Sequence, residues 1–149
     1  MNPTSVIAFF CDDVRAEADG RYTIIGLHSD NLQLAVPADA KPAGASIALP
    51  KLAIFVRISF DANGVLGPVR SKLINPGGDA VEFGAVDQKT IEKAQESARA
   101  QDNPIAGVNV ILQSTPYLVP KFGRAQFEVM IGSNQYVAGI LNLQPAPKA

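Results

Sequence analysis

Arg124-Ala125-Gln126-Phe127-Glu128-Val129-Met130-Ile131, then Gly132-Ser133-Asn134-Gln135, then Tyr136-Val137-Ala138-Gly139-Ile140-Leu141-Asn142-Leu143: this stretch decides the fold class. Ala125, Phe127, Val129 and Ile131 alternate with Arg124, Gln126, Glu128 and Met130. A period of two puts the first set on one face of a strand and the second on the other. The small polar residues 132–135 read as a tight connection, so the two runs pair as a hairpin. The same rhythm recurs upstream. Leu52, Ile54, Val56, Ile58 and Phe60 alternate with Ala53, Phe55, Arg57 and Ser59, and Val108, Val110 and Leu112 with Asn109, Ile111 and Gln113. Asn75-Pro76-Gly77-Gly78-Asp79 joins two further strand-like runs, 69–74 and 81–86, as a turn. The expectation is an all-β fold, a β-sandwich of Ig-like or C2-like type with about seven to nine strands. A lipocalin-like barrel is the alternative, but the long central connections do not suit its simple meander.

One segment breaks the alternation. Residues 88–101 are polar and Ala-rich, preceded by Asp87 as N-cap and followed by Asn103-Pro104 as a stop, which predicts one short surface helix crossing between sheets. Its stripe of Ile91, Ala94 and Ala98 is thin. Residues 35–49, rich in Ala and Pro, read as a loop between sheets, and 144–149 as a flexible tail after a single domain spanning 1–143. The chain has 149 residues, 47% of them hydrophobic and 18% charged, enough for a packed core without staples.

Thirteen Lys and Arg against fourteen Asp and Glu leave a net charge of −1, which excludes the basic footprint of a sequence-independent nucleic-acid binder. No run approaches a membrane span, and residues 1–10 carry no Lys or Arg, unlike a secretory signal. Phe9-Phe10 before Cys11 and Asp12-Asp13 after it do not suit a lipoprotein, where processing wants small residues. A lone Cys forms no internal disulfide. A cytoplasmic protein without membrane association is expected.

The richest local pattern is Cys11-Asp12-Asp13-Val14-Arg15-Ala16-Glu17, with Asp19-Gly20 ahead of Arg21-Tyr22-Thr23-Ile24-Ile25-Gly26-Leu27-His28. With Asp19-Gly20 as a two-residue hairpin turn, Ala18 faces Arg21, Arg15 faces Ile24, Asp13 faces Gly26, and the only Cys, Cys11, faces the only His, His28. Opposed residues have Cβ atoms about 4.5–5.5 Å apart, so Cys11, Asp13 and His28 form a candidate ligand or metal site, or a thiol–imidazole pair for nucleophilic catalysis. The alternative is structural, with Cys11 as a small buried hydrophobe. Zinc would need most of its ligands from carboxylates, and clustered carboxylates could also serve calcium; no cofactor or metal is assigned. Asp12 and Asp13 point to opposite faces, so one lies near the apolar side and needs a partner. A structural polar network of Asp12, Asp13, Arg15 and Arg21 is expected.

At this hairpin the chain resembles a family of uncharacterised bacterial proteins, a domain-of-unknown-function group. Its opening reads Cys-Asp-Asp-Val/Ile-Arg, an acidic residue, a Gly-Lys/Arg turn and an apolar-Gly-apolar strand. These are matched by Cys11-Asp12-Asp13-Val14-Arg15, Glu17, Gly20-Arg21 and Ile24-Ile25-Gly26-Leu27. Leu49-Pro50-Lys51-Leu52-Ala53-Ile54-Phe55-Val56 is similar to a second strand block, and Pro120-Lys121-Phe122-Gly123 through Tyr136-Val137-Ala138 to a terminal hairpin. Ala125 stands where an aromatic is expected. The resemblance implies a compact β-sandwich and brings no activity or catalytic residue.

Walker, dinucleotide, CxxC and nucleophile-elbow motifs are missing. Lys51, Arg57, Arg70, Lys72, Lys121 and Arg124 are scattered over several strands and would form an anion patch only by converging. Residues 114–122 are apolar for a connection, which makes Pro116, Tyr117, Leu118 and Phe122 a candidate partner loop; a lid on one end of the sandwich is its other reading. The sequence therefore points to a non-enzymatic β-sandwich module acting through protein partners or self-association, with edge strands and the Pro116 to Phe122 segment as contact surfaces and no catalytic residues. The alternative is a small-molecule or metal-binding protein, possibly an enzyme, centred on Cys11 and His28.

Overall fold

The computed structural model describes residues 4–34, 47–119 and 121–147. Of the connection expected over 35–49, residues 35–46 lie outside the described residues, and 47–49 form a short strand. In chain order the strands are β1 (Ser5–Cys11), β2 (Asp13–Ala16), β3 (Tyr22–Ile25), β4 (Asn31–Leu34), β5 (Ile47–Leu49), β6 (Leu52–Asp61), β7 (Val69–Ile74) and β8 (Ala80–Phe83). After the helix α1 (Gln88–Ala100) come β9 (Ile105–Ser114), β10 (Tyr117–Val119), β11 (Gly123–Ile131) and β12 (Asn134–Pro145). The fold is all-β and sandwich-like with one short helix, as expected. Twelve strands among the described residues exceed the expected number because several, such as β5 and β10, are three residues long. So short a strand offers too few alternating positions to be recognised.

Two main sheets face each other. One has the order β1-β6-β9, the other β4-β12-β11-β7-β8, and two-stranded ribbons β2-β3 and β5-β10 sit beside them. The inward residues are those the alternation selects: Ile54, Val56, Ile58 and Phe60 from β6, and Ala125, Phe127, Val129 and Ile131 from β11, all buried. Burial of each large side chain is worth about 1.5–3 kcal/mol. The β11–β12 connection is tighter than expected. Ile131 pairs with Asn134 across Gly132-Ser133, a two-residue turn led by Gly132 at φ 59°.

The helix starts at Asp87, whose carboxylate accepts a hydrogen bond from Lys89 N at 3.1 Å. It carries the chain from β8 in the larger sheet to β9 in the smaller one. Its buried positions are Ile91, Gln95 and Ala98, with Ala94 only partly buried. Gln95 is inside because its amide donates to Asp61 O (3.1 Å) and Gly64 O (2.8 Å), while Arg99 donates to Ala62 O (2.6 Å). These bonds fasten the helix to the connection between β6 and β7.

The C-terminal boundary differs from expectation. Gln144 and Pro145 belong to β12 and pair in parallel with Gln33 and Leu34 of β4, and Ala146 N donates to Leu34 O at 2.8 Å. The tail expected from residue 144 is therefore strand up to Pro145. A Pro at the end of a strand costs no ladder bond that matters, so its presence did not mark the boundary.

The sheets converge where β1 runs beside β12. The β11–β12 register shifts between Phe127 and Glu128, a bulge next to Gly139. A side chain on Gly139 would lie 3.0 Å from the Phe10 ring and 3.3 Å from Ala8 O, so a larger residue there forces the ring or β1 to give way by a few tenths of an ångström. Gly139→Val is expected to lower stability by about 1–3 kcal/mol. Gly84→Ala, where an added Cβ meets nothing within 4 Å, should change it by less than about 0.5 kcal/mol. Urea unfolding of both variants checks the contrast.

Candidate functional site

The β2–β3 hairpin does not turn on Asp19-Gly20 alone. Its loop is Ala18-Asp19-Gly20: Gly20 N donates to Glu17 O (3.1 Å), Glu17 N donates to Arg21 O (2.8 Å), and Gly20 takes φ 83°. This is the three-residue connection with a left-handed glycine, whereas the two-residue turn would need positive φ at Asp19 as well. Asp13 therefore pairs with Ile25, Val14 with Ile24, Arg15 with Thr23 and Ala16 with Tyr22. The register is displaced by one residue from the expectation, and such a slip moves every side chain to the other face.

Cys11 and His28 are consequently not brought together. Cys11 is fully buried with Val14 and Ala53, and Ile24, Phe55 and Ile111 pack around them. Its thiol donates to Ala53 O at 3.6 Å. Burial pushes the thiol pKa up, with Asp12 and Asp13 adding to the effect. A thiol so held is a poor nucleophile. His28 instead contacts Asp12, with Nε2 3.2 Å from Oδ1, and its backbone N–H donates to Phe10 O at 2.8 Å. Among the described residues no three His, Cys, Asp or Glu side chains are grouped to hold a metal. The Cys11, Asp13 and His28 candidate is corrected accordingly.

The expected network of Asp12, Asp13, Arg15 and Arg21 divides into three separate groups. Asp13 pairs with Lys51 at 2.5 Å and with Arg15 at 3.6 Å, Asp12 pairs with His28, and Arg21 pairs with Asp19 at 2.5 Å. Lys51 was missed because it is remote in sequence and only the packing of β2 against β6 brings it near. Gly26, at φ 64°, lies directly under the Asp12 carboxylate, which would collide with any side chain there. Asp12 N donates to both Ile25 O and Gly26 O, at 3.0 and 3.2 Å. Of the two adjacent carboxylates, Asp13 fastens the hairpin to Lys51 at the start of β6, and Asp12 ties the chain entering the hairpin to His28 on the chain leaving it.

The apolar connection before β11 is also revised. Tyr117 is buried and its hydroxyl donates to Asn75 Oδ1 at 2.6 Å, and burial pushes its pKa up to about 12. β10 pairs with β5, while Phe122 packs partly buried against the core and Pro116 and Leu118 are exposed. Of the two readings of this segment, lid and partner loop, its contacts are mostly those of a lid, with Pro116 and Leu118 left exposed; Pro120 lies outside the described residues. The basic residues do not converge either. Lys51 serves Asp13, Arg57 lies on the three-stranded sheet, and Arg70, Lys72 and Arg124 lie on the five-stranded one.

The outer faces of the two sheets differ sharply. On the larger sheet Arg124 donates to Gln126 (2.9 Å), Gln126 to Glu128 (2.8 Å), and Lys72 stands 3.9 Å from Glu128. On the smaller sheet the cross-strand rows are Ile7–Arg57–Asn109 and Phe9–Phe55–Ile111. Ile7 is 48% and Phe9 41% exposed, and Tyr22 of the hairpin tilts against Phe55 with ring centroids 5.5 Å apart. Sequence reading missed this surface, although Val6-Ile7-Ala8-Phe9-Phe10 is apolar at consecutive positions. In a strand such a run is apolar on both faces.

The Lys51 hydrogen bond, above all, holds the Asp13 carboxyl below the ordinary carboxylate range. The ionised form is thus favoured by folding, so the stabilisation is present above the unfolded-state pKa of about 3.9 and fades as pH falls through the lowered native value. Wild type should exceed Asp13→Asn in urea midpoint at neutral pH, and the gap should close below about pH 4. A gap unchanged by acid would remove the clasp.

No curated protein and no solved structure matches the chain. A family model described as "Family of unknown function (DUF6941)" matches residues 6–141. That span runs from β1, through the hairpin and both sheets, into β12. The chain belongs to the family of unknown function DUF6941.

Proposed function

We propose that this domain is a non-enzymatic β-sandwich module that works in the cytoplasm through protein–protein contact. The contact surface is the outer face of the β1-β6-β9 sheet. The observation that carries this reading is the grouping of Ile7, Phe9 and Tyr22, each more than a third exposed, around Phe55 on one sheet face. Single exposed apolar side chains are ordinary, but adjacent ones on a rigid sheet mark interaction sites. Aromatic side chains supply large contact area at small entropic cost. Of the two expected contact surfaces, edge strands and the Pro116 to Phe122 segment, this reading takes the edge strand β1, with its outer face.

A photo-crosslinking phenylalanine analogue placed at Phe9 tests this in cells of the source organism. A discrete crosslinked protein product is expected from position 9, and none from the same group at Val65, which is fully exposed elsewhere on the surface. If position 9 yields no product, or the same background as position 65, the reading fails.

A further inference from the structure

Resting on that reading, we propose that the occupant of this face is a second copy of the chain, in a two-fold pairing. Each copy's β2–β3 hairpin lies on the part of the three-stranded sheet that the other copy's own hairpin leaves uncovered. The first argument is shape. The hairpin covers only one end of the sheet, burying Cys11 and Ala53 beneath Val14. The rows Ile7–Arg57–Asn109 and Ser5–Ser59–Gly107 continue beyond it. The face is therefore a step, with a raised hairpin beside a lower shelf. Two such steps related by a two-fold axis fill each other.

The second argument is charge. Residues 12–21 contain Asp12, Asp13, Glu17 and Asp19 against Arg15 and Arg21, and with Lys51 seated on Asp13 the hairpin still keeps one net negative charge. On the shelf, Arg57 is the only charged residue of those two rows. Its guanidinium lies over Gly107 and donates to Asn109 at 3.1 Å, and no carboxylate among the described residues forms an ion pair with it. A cation set between Ile7 and the Phe9–Phe55 row calls for an acidic, partly apolar counterpart. The hairpin supplies both characters, because its carboxylates lie at residues 12–19 and Ile25 and Leu27 are exposed on its returning strand and just beyond it. Since shelf and hairpin belong to the same surface, the contact is self-complementary and closes at two copies.

Sedimentation velocity over a range of protein concentrations tests the pairing. Wild type is expected to form a dimer, and Arg57→Glu to weaken it about ten-fold or more by placing like charges together. Arg57→Gln should fall between them, and circular dichroism should show all three folded. Combining Arg57→Glu with Glu17→Lys and Asp19→Lys should restore dimerisation, which a merely structural role for Arg57 would not allow. A dimer indifferent to Arg57→Glu, or unrescued by the hairpin lysines, would overturn the pairing. A strictly monomeric wild type overturns it too. In that case a Phe9 crosslink to a different protein leaves the contact-face reading standing, whereas no crosslink at all removes both.

Discussion

Strand β1 is apolar on both faces, and most of the remaining architecture follows from covering it twice. Its inner side chains, Ala8 and Phe10, are buried in the main core, where Gly139 gives up its side chain so that β12 can approach. Its outer side chains, Ile7 and Phe9, together with Cys11, face away from that core. The β2–β3 hairpin folds back over the Cys11 end and makes a second, smaller core with Val14, Ala53 and Ile24. A two-stranded ribbon is marginal by itself, so the packing of Val14 and Ile24 on Ala53 and the pairing of Asp13 with Lys51 hold it down, while Asp12 and His28 close its base. Ile7 and Phe9 are the part of β1 that the hairpin does not reach.

This division explains why the singleton residues mislead. One Cys and one His in a hairpin invite a chemical reading, and under a two-residue turn they would face one another. The actual loop contains one more residue. That single displacement sends Cys11 into an apolar cluster and gives His28 to Asp12. The titratable groups here serve structure: Asp13 binds the hairpin to Lys51, Asp12 closes its base on His28, and burial disfavours the Cys11 thiolate.

The fold was largely legible because the long strands β6, β9 and β11 are each buried on one face and alternate cleanly, and because Asp87 marks the helix start. What stayed hidden depends on contacts between distant segments. Lys51 reaches Asp13 only after β2 has packed on β6, and Tyr117 reads as a loop aromatic until Asn75 is seen to accept its hydroxyl. Gln95 looks like a solvated helix position, but its amide bonds the carbonyls of Asp61 and Gly64. The exposed apolar face of β1 had a signal, the unbroken apolar run of residues 6–10, which composition alone could not distinguish from a fully buried strand.

The central claim is that the outer side of β1 is covered by a second copy of the chain. Paramagnetic relaxation from a soluble relaxation agent, read at the Ile7 and Phe9 side chains across protein concentrations, tests it most directly. The account predicts that both become shielded together as concentration rises, while Val137, exposed on the other sheet, stays accessible. Ile7 and Phe9 remaining as accessible as Val137 at every concentration would contradict it.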